Sequence, residues 1–313
     1  MFLSLSLTAL LAFLAYVYVR NHWEEFSFLW SRPIGYRLWL TVGAAYTLTL
    51  VFNSEILRLG IVVQGTDIKF LEGLALNMST MAANYFIPLK GGAGLRAIYF
   101  LSRYRMPLTN FISQLLAISV HTLAVGSFLA LISLLVMAPE RFQGPLVGYF
   151  AVTFGLGLGS LLYLGRINLT RFPKLNNLAK GWDLFRADKK ALFKLTVFQL
   201  AYYFSLALVN HLCFKAFHIS LSLPQALFYS AGQIHSTIIN LTPAGLGIVE
   251  TFGILAGQIL GFSPAHALMA QGLNRLTQLS VMVLISLWGW PYLNRLKSVN
   301  PPLVKGSASD CHN

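Results

Sequence analysis

The residues of this sequence that could do chemistry fall in two short runs. The first is NYFIPLKGGAGLR, containing Asn84, Pro88, Lys90, Gly91, Gly92 and Arg96; the second is NLTPAGLGIVE, containing Asn240, Pro243, Gly245, Gly247 and Glu250. An arginine guanidinium is a planar donor fork that matches phosphate, and amides freed after Gly91 and Gly92 would add donors for an anion. Arg96, with Lys90, therefore reads as a clamp for a lipid phosphate. The competing reading is an interface arginine, one of several topology charges with Lys90, Arg103 and Arg105. Asn84 and Asn240 either cap freed backbone or reach a headgroup. Glu250 stands in an otherwise uncharged run, where an acid costs ~2.5–3.5 kcal/mol at the centre of a membrane helix. An acid so placed needs a partner or a function, and Arg275, also in an apolar run, is the obvious partner. Two roles stay open for this pair: a structural ion pair, or a gating switch linked to a proton or substrate.

The chain that positions these residues has 313 residues, of which 56% are apolar and 11% charged. A soluble domain carries about 25% charged residues, so this chain lacks the polar surface to face water. Runs of about 20 apolar residues span a bilayer, and residues 2–19, 36–57, 107–137, 146–164, 191–214 and 265–290 qualify. The first is expected to be a retained span, because no basic residue precedes its apolar core and no small-residue cleavage site follows it. Residues 70–88 and 223–243 are less apolar and carry Asn77, Ser79, Thr80 and Asn84, and Gln233, His235, Ser236, Thr237 and Asn240. Each ends at a proline followed by glycines, which stop helices. Short helices are expected after each break, over 96–104 and 248–260. Backbone broken at membrane depth must be buried in protein or line a polar cavity.

The two broken regions share an order of Asn, Pro, Gly and an ionisable residue, and each lies between long spans. The expected organisation is a single membrane domain over 1–313 with an internal duplication, residues 36–137 against 191–290. Paired broken helices in duplicated halves point to a transporter binding site. The expected fold class is all-α: a polytopic bundle of 7–9 spans in two related halves, each with a Pro/Gly-broken helix pair. Whether 223–261 is re-entrant or crosses twice stays open. The loop 166–190 carries seven basic residues against Asp183 and Asp188, and the net charge is +13. Placing that loop, Lys90 to Arg105 and the tail 295–313 in the cytoplasm puts the N-terminus outside.

Other chemistry is poorly represented. The histidines have no metal-ligand spacing, and Cys213 and Cys311 imply neither a disulfide framework nor a metal cluster. No metal and no cofactor are expected. The basic charge fits cytoplasmic loops and anionic lipid rather than nucleic acid. His235 is read as a satisfied interfacial histidine. Gly253, Gly257 and Gly261, and Gly155 and Gly159, are read as close helix packing.

At its two Pro-Gly runs the sequence resembles the lysylphosphatidylglycerol synthase transmembrane-region family, a flippase-like group. The pattern N-x3-P-x2-GG-x3-R is met by Asn84, Pro88, Gly91, Gly92 and Arg96. The pattern P-x-G-x-G-x2-E is met by Pro243, Gly245, Gly247 and Glu250, and Arg275 matches a following arginine. The resemblance implies a multi-pass inner (plasma) membrane protein that translocates an anionic phospholipid or a polyprenyl-phosphate-linked lipid. With no aminoacyl-transferase domain in view, lipid synthesis is not expected. After the first motif the family often carries an acid-arginine pair where this chain reads SQLLAISVHTL. The alternative is a non-transporting anchor or accessory subunit for a cytosolic glycosyltransferase or lipid-modifying enzyme, docking on the basic loop 166–190. Anionic membrane lipids are the expected partners in either case.

Overall fold

The computed structural model describes residues 34–86, 91–137, 143–163, 182–185, 187–237 and 245–298, with isolated positions between 13 and 27. Among the described residues the regular structure is helical. The helices are α1 (Tyr36–Val63), α2 (Phe70–Phe86), α3 (Gly91–Tyr104), α4 (Leu108–Met137), α5 (Gln143–Tyr163), α6 (Lys189–Lys215), α7 (Leu223–Gln233), α8 (Ile248–Ile259) and α9 (Pro264–Ser298). A 3₁₀ turn, Ile234–Thr237, continues α7. Five helices (α1, α4, α5, α6 and α9) are long and apolar enough to cross a bilayer. The chain is an all-α polytopic membrane bundle. Five of the six runs expected to span match these helices; the first, 2–19, lies largely outside the described residues.

The four shorter helices form the two breaks. At 17, 14, 11 and 12 residues, α2, α3, α7 and α8 fall below the ~20 that cross a bilayer. Each owes its ends to local chemistry. Ser222 and Gln225 make a reciprocal capping box at the start of α7, with proline in the first turn. Gly245 and Gly247 have φ of 70° and 83°, a left-handed backbone that glycine adopts without a Cβ clash, and they turn the chain into α8. The first short helix begins five residues earlier than the spacing suggests, at Gly91 rather than Arg96. Asn84 Oδ1 accepts from the Gly92 amide at 2.8 Å, so the side chain of the preceding helix satisfies a first-turn donor there. The polar helix of the second region also ends early, its last turn tightening to 3₁₀ after Gln233.

Packing is organised around α1 against α6. The helix α2 lies on α9 and α7 lies on α4, so each broken region packs on the final long helix of the other set. Further contacts come in matched pairs: α1 with α2 and α6 with α7, α2 with α3 and α7 with α8, α3 with α4 and α8 with α9; the extensive contact of α5 with α4 has no counterpart in the other set. Exchanging α1–α4 with α6–α9 leaves the rest of this list of principal neighbours unchanged. Close approaches are made by single small residues. A Cβ on Gly157 would stand 2.9 Å from Ala124 Cβ, and one on Gly257 2.8 Å from Ala267 Cβ, whereas nothing lies within 4 Å of Gly155, Gly159 or Gly261. The expected packing role thus holds for Gly253 and Gly257. It moves from Gly155 and Gly159 to Gly157, because the face of α5 turned to α4 is rotated from the one the spacing suggested. Gly261, with φ of 85°, makes the turn into α9.

The last helix runs beyond Trp290, through Pro291, to Ser298. The turn after that proline is fastened from outside, since Arg103 on α3 donates to the Leu296 carbonyl. Arg103 belongs to a buried cluster with Glu72 (3% exposed). Glu72 Oε1 accepts from Tyr99 at 2.7 Å, Tyr104 at 2.6 Å and Arg103 Nε at 3.2 Å. One carboxylate on α2 therefore ties down the end of α3 and, through Arg103, the end of α9. Glu72→Ala is expected to cost about 3–5 kcal/mol, because it leaves a buried cation without its counter-charge and two hydroxyls unpaired. Tyr99→Phe, which removes one bond, is expected to cost about 1 kcal/mol. Thermal unfolding of the purified protein followed by tryptophan fluorescence checks the ranking.

Candidate functional site

Between the two broken regions lies a cavity of about 300 Å³. Its walls come from α1 (Tyr46, Thr49, Leu50, Asn53), α2 (Met81, Asn84, Tyr85), α6 (Tyr202, Leu206), α7 and its 3₁₀ turn (Ser230, Gln233, Ile234, Ser236), α8 (Val249) and α9 (Gln271, Asn274, Arg275, Gln278, Met282). The polar residues of α9 stand at i, i+3, i+4 and i+7, and Tyr46, Thr49 and Asn53 follow the same helical spacing on α1. Each set makes a polar stripe on one face of an otherwise apolar helix. The sequence reading missed these stripes; the periodicity of amides within an apolar run was the signal that could have found them.

Glu250 and Arg275 meet at this wall. Arg275 Nε donates to Glu250 Oε1 at 2.8 Å, with both side chains 17% exposed. The other carboxylate oxygen, Oε2, accepts from the Gly247 amide at 2.7 Å. Glu250 is thus the N3 residue of α8, capping the helix whose first turn follows the Gly245–Gly247 break. A negative charge there also faces the positive end of the α8 dipole. Tyr85 of α2 lies beside both members of the pair. The charges of the second broken helix and the last long helix therefore meet at the tip of the first broken helix.

Arg96 sits elsewhere. Its Nη2 donates to Thr80 Oγ1 at 2.8 Å and Asn77 Oδ1 at 3.2 Å, both on α2. Asn77 in turn donates to Ser54 on α1 at 3.0 Å. Arg96 Nε is buried and has no hydrogen-bond partner among the described residues. Arg96 is not part of the cavity wall, although Thr80 to Asn84 connect it to that wall along α2. A side chain at Gly92 would overlap the Thr80 carbonyl, which is why α3 can approach α2 this closely only at a glycine. Asn84 has the capping role and also faces the cavity. Lys90, Pro88, Asn240 and Pro243 lie outside the described residues.

A second amide-hydroxyl contact stands at the corresponding place in the other set: Asn210 on α6 donates to Ser230 on α7 at 2.8 Å. Asn274 Nδ2 on α9 donates to Asn210 Oδ1 at 3.2 Å, extending this network to the cavity. His235 has its partners inside the fold. Its Nδ1 lies 3.2 Å from the Gly232 carbonyl, an acceptor, so Nε2 accepts from Ser127 at 3.2 Å. Ser127 and His235 are both buried. Among the described residues no group of His, Cys, Asp and Glu could hold a metal ion.

The Glu250–Arg275 pair is expected to be strongly coupled. Glu250→Leu alone leaves a buried guanidinium and should destabilise more than Glu250→Leu with Arg275→Leu, by about 1–3 kcal/mol. Exchanging the two residues should restore only part of the loss, because arginine at 250 cannot accept from the Gly247 amide. Thermal unfolding of the three variants against the parent protein reads both differences.

No curated protein and no solved structure matches this chain. The family model described as the lysylphosphatidylglycerol synthase TM region matches residues 1–286. The chain belongs to that family of lipid-related membrane proteins.

Proposed function

We propose that this protein moves an anionic phospholipid, or a polyprenyl-phosphate-linked lipid, from one leaflet of the inner membrane to the other. The observation that carries the reading is the cavity between the two helix breaks, with the Glu250–Arg275 pair on its wall. A polar hollow inside an apolar bundle gives a headgroup somewhere to be when its solvent is gone. The matched packing of α1–α4 and α6–α9 supports an internal duplication over 36–137 and 191–290. Such duplication places a site at the interface of the halves and lets access alternate by rocking one half against the other. In this reading the ion pair is the latch: it joins α8 to α9, and its rearrangement opens one face of the cavity.

Arg96 is the phosphate ligand of the reading. A guanidinium with no carboxylate partner among the described residues, beside the α2–α3 break, supplies positive charge to a phosphate entering from the interface. The basic loop 166–190 and the tail face the cytoplasm. No catalytic residue takes part, and the protein acts without a bound cofactor.

The test is transbilayer movement in liposomes carrying fluorescent anionic and zwitterionic lipids, with the purified protein reconstituted. Anionic lipid is expected to move, with Arg96→Ala and Glu250→Gln each slowing it at least about tenfold, equivalent to about 1.4 kcal/mol or more on the barrier. Movement unchanged in both variants, in protein shown to be folded and inserted, would remove these residues from the mechanism. A charge reversal in loop 166–190 that abolishes function in cells while Glu250→Gln does not would transfer the function to an accessory subunit.

A further inference from the structure

The chemistry of the cavity wall says more about its occupant than that it is polar. Six carboxamides face one hollow: Asn53, Asn84, Gln233, Gln271, Asn274 and Gln278. Three tyrosines, Tyr46, Tyr85 and Tyr202, share the wall with them. Arg275 is the one charged side chain among the described residues that line it, and Glu250 neutralises that charge at 2.8 Å. The wall therefore carries no net charge to offer an anion, and a phosphate placed there would lose its water without gaining a free cation.

Two of the amides are left with unmet capacity. Gln233 and Asn274 are each 8% exposed. Asn274 Oδ1, an acceptor, has no partner among the described residues, and Gln233 Nε2, a donor, makes no full hydrogen bond although the Tyr229 hydroxyl lies beside it. Buried polar atoms are almost always paired, so each exception calls for an explanation. The hydroxyl is the common uncharged group that both donates and accepts. A ring of hydroxyls on a saturated frame suits such a wall, presenting donors and acceptors to the amides and a C–H face to the tyrosines. The volume, about 300 Å³, stands at the small end of ligand pockets, which run about 300–1,000 Å³; that suits one sugar-sized ring.

We infer that the cavity receives the uncharged polyhydroxyl part of a lipid headgroup, a sugar or cyclic polyol, held by the carboxamides of α1, α2, α7 and α9, with Gln233 and Asn274 as the recognising pair. The inference rests on the translocase reading and narrows it: the lipid's phosphate stays outside the cavity and its polyol goes in. A site built to bond hydroxyls rejects analogues that lack them, because its own buried groups then go unpaired.

The experiment compares two anionic lipids that differ in the polyol. The protein is purified in a detergent without a sugar headgroup, since an alkyl glycoside would itself compete. Thermal unfolding is then followed by tryptophan fluorescence with phosphatidylinositol, with phosphatidic acid, or with free myo-inositol. Phosphatidylinositol is expected to raise the midpoint at at least about tenfold lower concentration than phosphatidic acid, a difference of about 1.4 kcal/mol. Gln233→Met is expected to abolish that preference while leaving the midpoint without lipid unchanged or higher, because it removes an unmet donor. A merely structural glutamine would lower the lipid-free midpoint and leave the preference intact. Asn274→Leu gives a second reading, at the cost of its bond to Asn210.

Equal stabilisation by the two lipids, or none by either, overturns the inference and leaves the hollow to water. Stabilisation by free myo-inositol at the concentration where phosphatidylinositol acts overturns the lipid-borne source and assigns the cavity to a soluble polyol. The same lipids in the liposome assay separate this inference from the reading beneath it. Movement of phosphatidic acid as fast as phosphatidylinositol keeps translocation and removes the polyol site. Selective binding of phosphatidylinositol without movement keeps the polyol site and removes translocation.

Discussion

The two oxygens of the Glu250 carboxylate do different jobs, and the second half of the cavity depends on both. One oxygen holds Arg275 of α9; the other holds the Gly247 amide, where α8 starts after the break. A chain interrupted inside a bilayer leaves amides that lipid cannot satisfy. The first break solves that problem with an uncharged side chain, Asn84 to the Gly92 amide. The second solves it with an anion, and the anion must then be neutralised. Arg275 is thus required by the way the helix is capped, and the cap, the ion pair and the cavity wall become one structural unit. A change at any one of the three is felt by the other two.

A similar economy runs through the first half. Glu72 is a lone acid in α2, and it gathers two tyrosines and an arginine from the far end of α3. Asn77 and Thr80 on the same helix take up Arg96. The surface of α2 is shared between polar neighbours on one side and the cavity on the other, which explains why this stretch is too polar to read as an ordinary span. Its polarity serves contacts within the protein as much as the hollow it borders.

Much of the fold was legible because a bilayer imposes length and apolarity on any helix that crosses it. The five long helices, the two breaks and the Glu250–Arg275 partnership follow from hydropathy, proline and glycine, and from the cost of an isolated charge. The site was less legible. Arg96 reads from sequence either as a phosphate clamp or as an interface arginine; its partners come from α2, and tertiary contacts of that kind have no mark in local sequence. The cavity amides on α1 and α9 were legible in principle, through helical spacing, and were masked by the high mean apolarity of those helices. The helix beyond Pro291 was not legible. Proline is a good stop signal in isolation, and here Arg103, almost two hundred residues away, holds the turn that follows it.

That fastening has a mechanical consequence. With the end of α9 clamped to α3 and a proline at position 291 interrupting its hydrogen-bond ladder, the helix has a fixed foot and a compliant ankle. At ~1.5 Å of rise per residue, Arg275 stands ~24 Å up the shaft from that point. A swing of ~7° about the ankle carries the guanidinium ~3 Å, as far as an ion pair is wide. In the proposed reading, a lever of this length converts a small change of tilt into a parted contact.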